Sequence, residues 1–258
     1  MKKHLGVLCC ILSVLSLTII SWKPADVIAP KAEKPAAAVE LLQKYVENIY
    51  ESAHLEESGL AFNVFKKAFT GFINLKKTAL LPQSSSVITV IDFSKSSREK
   101  RMWIVDIVNK SLVLNTWVAH GERSGSDIPK RFSDRVDSRE SSLGFYLTDN
   151  IYFGDHGRSL KLDGLDEGFN ANARKRSIVL HAAPYVCQEV IDQHGRLGRS
   201  FGCPAVSPDV IDEVIETIKD KNVIFINGDS ERYHSKYLDE NLAAHYIANS
   251  DSSFTASM

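Results

Sequence analysis

Cys203 lies in GRLGRSFGCPAVSP (195–208), among glycines, small side chains and two arginines just ahead of a helical pattern. A thiolate is a strong nucleophile, but an ordinary thiol with a pKa near ~8.5 is mostly protonated at neutral pH and needs a base or a positive charge beside it. Arg196 and Arg199 supply charge. His181 ends a β-branched run and precedes two alanines, which suits a general base on a fixed backbone with room for a substrate chain. Such a pair attacks a carbonyl and passes through a covalent acyl intermediate. Gly198 and Gly202 allow backbone conformations, or a close substrate approach, that a side chain would block. Pro204 has no N–H, so oxyanion donors must come from residues up to Cys203, such as the amides of Gly202 and Cys203. The expected geometry puts the Cys203 sulfur within direct or one-water hydrogen-bond reach of a His181 nitrogen, in an open groove.

Recognition residues follow from charge and shape. A guanidinium grips a carboxylate through two parallel hydrogen bonds, so Arg199, with Arg196 nearby, is expected to bind a ligand carboxylate; its alternative is a protein acid such as Asp163 or Asp166. Tyr146, in GFYLT, is expected to line the cleft. His120 in VAHG and His156 in GDHG precede glycines at strand ends, where structural and cleft-facing roles both remain open. Cys187, His181, His194 and Cys203 contain no compact C-x-x-C or H-x-x-x-H half-site and are not read as a zinc set. Cys187 is expected in the core and His194 on the surface, and no metal or organic cofactor is expected.

These residues need a scaffold, and the hydrophobic period supplies one. From Ala36, Val39, Leu42, Val46 and Ile49 recur at helical spacing, and after Gly59 so do Phe62, Phe65, Phe69 and Phe72. The aromatic stripe reads as one buried helix face. Beyond Pro82 the period becomes strand-like: 87–93, 102–108, 112–119, 143–148 and 178–181 are short β-branched and aromatic runs between turn residues. The class is therefore α+β, a helical pair over 36–82 followed by a β-rich core over 87–228. Residues 121–142 read as a solvated loop, the alternative being a cover over the site. Ser207-Pro208-Asp209 has the form of a helix start, ahead of the apolar face Ile211, Val214, Ile215 and Ile218. Val223 to Ile226 closes the core, and 229–258 is a polar tail with no assigned function.

A chain of 258 residues with 44% apolar and 24% charged residues is long enough to bury one sizeable core. Its formal net charge of −1 gives no global attraction to nucleic acid or an anionic membrane. Lys2 and Lys3 precede an apolar stretch from Leu5 to Ile20, so residues 1–22 read as an export signal or a retained membrane anchor, and 23–35 as a Pro/Ala/Lys-rich linker. Export to the periplasm or cell envelope is expected, with a membrane tether as the variant. Past that segment only Cys187 and Cys203 remain, both expected as free thiols.

IVLHAAPYV (178–186) followed by GRLGRSFGCPAV (195–206) resembles the His…Ser-x-Gly-Cys signature of the L,D-transpeptidase (YkuD-like) family, in its murein L,D-transpeptidase catalytic-domain branch. VIDFSKSSREKRMWIVDI (90–107), VAHGERSG (118–125), SSLGFYLTD (141–149) and SLKLDGLDEGFNANARKRS (159–177) resemble further blocks in the same order. The resemblance implies a β-sandwich-like core, Cys203 as nucleophile, His181 as base, and Ser200 and Gly202 shaping the loop. It implies peptidoglycan stem peptides as partners, with attack on the diaminopimelate–D-Ala bond of a tetrapeptide stem and transfer to an amine. The alternatives are an L,D-carboxypeptidase, a hydrolase releasing peptidoglycan-attached proteins, or a non-catalytic peptidoglycan-binding module. The sequence departs from many members at Phe201, where a histidine is common, and at Ala205, where arginine or asparagine is common; Phe201 is expected to pack beneath the loop.

Overall fold

A computed structural model describes residues 35–250. The proposed signal or anchor (1–22), nearly all of the linker and residues 251–258 lie outside the described part. No helix among the described residues is long and apolar enough to cross a membrane.

Two amphipathic helices come first: α1 (Pro35–Ser52) and α2 (Phe62–Lys77). Ala38, Leu42, Val46 and Ile49 of α1 and Phe65, Phe69 and Phe72 of α2 are fully buried, so the aromatic stripe is packing. The strands are β1 (Val87–Asp92), β2 (Met102–Asp106), β3 (Ser111–Thr116), β4 (Gly144–Gly154), β5 (Gly157–Gly164), β6 (Val179–Ala182), β7 (Ala205–Val206) and β8 (Val223–Asn227). They form one eight-stranded mixed sheet in the order β3-β2-β1-β8-β4-β5-β6-β7. Only β1/β8 and β6/β7 run parallel.

The class is α+β, with the helices ahead of a β-rich core. One sheet face, carrying Ile88, Val90, Trp103, Val105, Phe145, Val223 and Phe225, packs under α1 and α2. The other, carrying Ile91, Met102, Ile104, Tyr146, Leu160, Leu162 and Leu180, packs with helix α4 (Ile211–Ile218). The sheet curls around this second core. Ala119, just past edge strand β3, exchanges backbone hydrogen bonds of 2.8 and 3.4 Å with Ala205 of the opposite edge strand β7. That contact turns an open sheet into a sandwich-like enclosure and brings the β3 exit beside the cysteine loop.

Three local outcomes differ from the expected pattern. Ser207-Pro208-Asp209 forms a turn, with the Ser207 hydroxyl accepting from the Asp209 amide, and α4 begins at Ile211. β5 is a full strand where the expected pattern has none between 148 and 178, although its alternation (Leu160 and Leu162 inward, Lys161 and Asp163 outward) is present in the sequence. The polar tail contains a short 3-10 turn (Lys236–Leu238) and helix α5 (Glu240–Asn249), capped by Asp239. Ala243, Ala244 and Ile247 of α5 are buried in the helical layer. Asn74 of α2 holds this segment through bonds of 2.9 Å to the carbonyls of Tyr237 and Asp239.

Gly71 marks where α2 meets the sheet most closely, since a Cβ there would fall 2.0 Å from the Phe145 ring. Alanine at a helix interior normally gains about 1 kcal/mol over glycine. Overpacking a core costs about 1–3 kcal/mol, and here the ring is held between Phe225 and Tyr237. Gly71→Ala is therefore expected to lower the urea midpoint at unchanged slope; a raised midpoint would show that the ring yields freely.

Candidate active site

The loop before β7 is built around the Ser200 hydroxyl, which accepts from the Gly202 amide at 3.1 Å and donates to the Cys203 carbonyl at 2.6 Å. Ser200 is itself stitched to the β3 exit: its N–H donates to the His120 carbonyl at 2.9 Å and its carbonyl accepts from Glu122 N–H at 2.8 Å. Gly202 has φ +125°, a conformation that side chains rarely adopt. A Cβ there would also meet the Glu140 carbonyl at 2.9 Å. The Gly202 amide is thus occupied by Ser200, which removes it from the expected oxyanion donors. The Cys203 N–H has no protein acceptor among the described residues.

Cys203 is half-buried and unbridged, as is Cys187. Its Sγ accepts from the Val179 amide at 3.5 Å and donates toward the Ser177 carbonyl at 3.7 Å. Burial pushes the thiol pKa up, and the Val179 N–H and the Arg176 charge offset this only in part. The thiol is therefore protonated at neutral pH in this arrangement.

His181 sits on β6, beside β7, and its backbone N–H donates to the Pro204 carbonyl at 3.4 Å. The imidazole is buried, and its Nδ1 lies 2.8 Å from the Ala182 carbonyl, which places the proton on Nδ1 and leaves Nε2 as the acceptor. His156, at the tip of the β4–β5 hairpin, stacks on the His181 ring with centroids 4.1 Å apart and planes 18° from parallel. Burial first, and the charge of His156 after it, lower the His181 pKa. The two candidate catalytic groups are backbone neighbours, but they share no direct hydrogen bond.

The segment 121–142 is a buttress more than a solvated loop. Arg176 binds the carbonyls of Ser133 (2.6 Å) and Glu140 (2.5 Å) and the hydroxyls of Ser142 (2.8 Å) and Ser138 (3.2 Å), fixing the segment against Gly202. Arg199 donates to the carbonyls of Glu122 (3.2 Å) and Gly125 (2.9 Å), and contacts neither Asp163 nor Asp166. Arg196 donates to the Leu197 carbonyl at 2.6 Å. Both arginines expected to grip a ligand are thus engaged with backbone.

Tyr146 is fully buried on the inner face, with its hydroxyl on the Ser142 carbonyl, which removes it from the cleft lining. Its position follows from alternation, because Tyr146 points to the same core as Leu160 and Leu162. Phe201 is not beneath the loop: it is 66% exposed, with the Arg139 guanidinium 4.3 Å from its ring centre. His120 is buried between Arg101 Nη2, 2.9 Å from its Nδ1, and the Gly125 carbonyl; burial pushes its pKa down to about 3, so it is a structural residue. His194 is exposed, and Cys187 is half-buried at the start of the short helix α3 (Gln188–His194). No group of three metal-ligating side chains occurs among the described residues.

Sequence reasoning missed Tyr185, whose side chain packs where a Gly198 side chain would stand, its Cβ 2.4 Å and its ring Cγ 2.5 Å from that glycine's ideal Cβ. Burial, together with the nearby Cys203, raises its pKa to about 12. It also missed Arg176 and a pocket of about 310 Å³ walled by Tyr152, Lys161, Arg174 and Ser177–Val179, the segment that touches the thiol. A signal for Arg176 was present in its position next to the strand that carries His181.

The family described as the L,D-transpeptidase catalytic domain matches residues 56–227. Among solved structures, an L,D-transpeptidase from Mycobacterium smegmatis is similar at 10% identity over 56% of this chain and 59% of that one, with a TM-score of 0.36. The helical cell shape determining protein Pgp2 from Campylobacter jejuni is similar at 11% identity over 68% and 60%, with a TM-score of 0.39. L,D-transpeptidase 1 from Mycobacterium tuberculosis is similar at 13% identity over 56% and 62%, with a TM-score of 0.32. The chain spans about three fifths of the length of these structures. No curated protein matches it.

The stacked histidines give a prediction that needs no substrate. Removing His156 relieves both the burial and the like charge that disfavour the His181 imidazolium, so His156→Ala should raise the His181 pKa toward its ordinary value. NMR titration of the imidazole resonances would read this, and an unmoved or lowered His181 pKa would remove the hairpin's influence on the ring.

Proposed function

The chain belongs to the L,D-transpeptidase catalytic-domain family, and from that premise we propose that it is a peptidoglycan-directed acyltransferase with Cys203 as its nucleophile. The observation that carries this reading is the thiol's position: half-buried, on a loop locked by Ser200, and next to a strand whose histidine keeps one ring nitrogen open. In the proposed cycle the thiol leaves the Ser177 carbonyl and gives its proton to His181 Nε2 as sulfur attacks the carbonyl of the diaminopimelate–D-Ala bond. The Cys203 N–H is the loop donor available to the oxyanion. Collapse breaks the C–N bond, the leaving amine takes the proton from the imidazolium, and a thioester remains. An amine of a second stem then attacks the thioester, its proton passes through His181 to the departing sulfur, and a new peptide bond forms. Water in place of that amine gives hydrolysis, the carboxypeptidase alternative. Neither step calls on a metal or an organic cofactor. The proposed setting is the cell envelope, reached through the apolar N-terminus.

Mass spectrometry of tetrapeptide muropeptides incubated with the protein tests the reaction. Crosslinked dimers mean transfer, shortened monomers mean hydrolysis, and an unchanged mixture with wild-type protein would overturn the enzymatic reading. Cys203→Ala should abolish both products, and Cys187→Ala should leave both.

His181→Ala should reduce turnover by about 10²–10⁴-fold, the range of a lost general base. Because the resting thiol is not bonded to the imidazole, its iodoacetamide alkylation at fixed pH should change little in the same variant. If alkylation fell in step with turnover, a preformed thiolate–imidazolium pair would replace base catalysis within the substrate complex.

A further inference from the structure

Six residues wall the pocket beside the thiol, and none of them is acidic. Its two cations are in different states. Arg174 is paired with Asp163 and Asp149, which also take Lys221, so those charges cancel. Lys161 has no acidic partner among the described residues; its Nζ lies over the Tyr152 ring, 5.5 Å from the centroid. An aromatic face holds an ammonium in place without neutralising it.

Position makes that charge useful. Lys161 on β5 stands opposite Val179 on β6, and the Val179 amide is the donor that touches Cys203 Sγ. β6 stands between β5 and the cysteine loop, so Lys161 and Cys203 are two strand spacings, ~10 Å, apart, a span that a stem peptide lying across β6 covers. The other cations near the loop are committed: Arg199 and Arg196 to carbonyls, Arg176 to four acceptors, and Arg139 to Glu122.

We infer that Lys161, held over Tyr152 in the pocket beside Ser177–Val179, is the residue that binds a carboxylate of the peptide that acylates Cys203. This rests on the cysteine chemistry proposed above and gives the cleft its anion specificity, the role first expected of Arg199. Lys161 takes no part in bond making; it fixes which peptides are held with their carbonyl at the sulfur.

Two measurements on the full chain test it. The first uses small alkylating agents and does not depend on the enzyme's substrate: the ratio of Cys203 alkylation rates by iodoacetate and by iodoacetamide. Lys161→Met should lower this ratio by up to about twofold, the effect of one exposed charge acting across two strand spacings at low salt, and Lys161→Arg should restore it. Taking the ratio cancels any change in the thiol's own pKa. The second compares a tetrapeptide stem with free carboxylates and the same stem amidated: Lys161→Met should raise KM for the acid and leave the amide unchanged. An unchanged alkylation ratio, or an equal KM increase for both stems, would overturn the assignment. Absence of turnover in wild-type protein would strike the proposed function alone, with the alkylation ratio still deciding for or against Lys161.

Discussion

The cysteine loop depends on one constraint: the Gly202 amide and the Cys203 carbonyl must both find partners while the chain carries a left-handed glycine and a proline without an N–H. Ser200 meets it with a single hydroxyl that accepts from Gly202 and donates to Cys203. Its backbone extends the same solution outward to His120 and Glu122. A buried polar group left unpaired costs about 1–3 kcal/mol, so losing this hydroxyl strands two groups at once. It would also free Gly202 from the geometry that aims Cys203.

That local solution needs the β3 exit and β7 to be neighbours, which is a property of the whole sheet. Curling brings Ala119 to Ala205, and the two cores hold the curl from both sides. Buried Arg101 secures the same region by donating to the carbonyls of Val118 and Lys95 and contacting His120. Asp127 binds Ser96 and Ser97, and the Ser97 hydroxyl in turn accepts from Leu197 N–H in the cysteine loop. The helices cover β1, β2, β8 and part of β4, on the far side from α4, so their contribution to the site is the stiffness of the sheet.

Much of this was legible from period and spacing. The two helices and the central strands follow from repeats of 3.6 and 2, whereas placing His181 beside Cys203 rests on the family resemblance, since a cysteine and a histidine 22 residues apart fit many folds. What was not legible is where long side chains spend their hydrogen bonds. Arg199 and Arg196 were read as ligand-binding because a guanidinium matches a carboxylate, but it matches backbone carbonyls equally well, and a loop crossing near others offers many. The burial of Tyr146 is not legible because both faces of β4 are covered, Phe145 and Leu147 entering one core and Tyr146 the other, so alternation alone does not separate core from cleft. Lys161 carries no signal in the sequence, because one lysine in a strand is ordinary until the acids around it are seen to be taken.

The direction of the pKa shifts bears on when charge appears. A thiolate–imidazolium pair requires the thiol to be the stronger acid, yet burial moves the Cys203 pKa up and the His181 pKa down. Both shifts keep the proton on sulfur, so the resting site is neutral and holds its thiol against the Ser177 carbonyl. Forming the ion pair in the empty site would set a charge in a half-buried position with one amide and a distant guanidinium for support. In the proposed reaction a bound substrate changes that balance, because sulfur's developing charge would pass to the carbonyl oxygen as the bond forms, with the Cys203 N–H as the proposed donor to it. A neutral resting state therefore suits the proposed role, in which the nucleophile waits for a peptide, and it protects the sulfur from oxidation, since the oxidising step also begins from the thiolate.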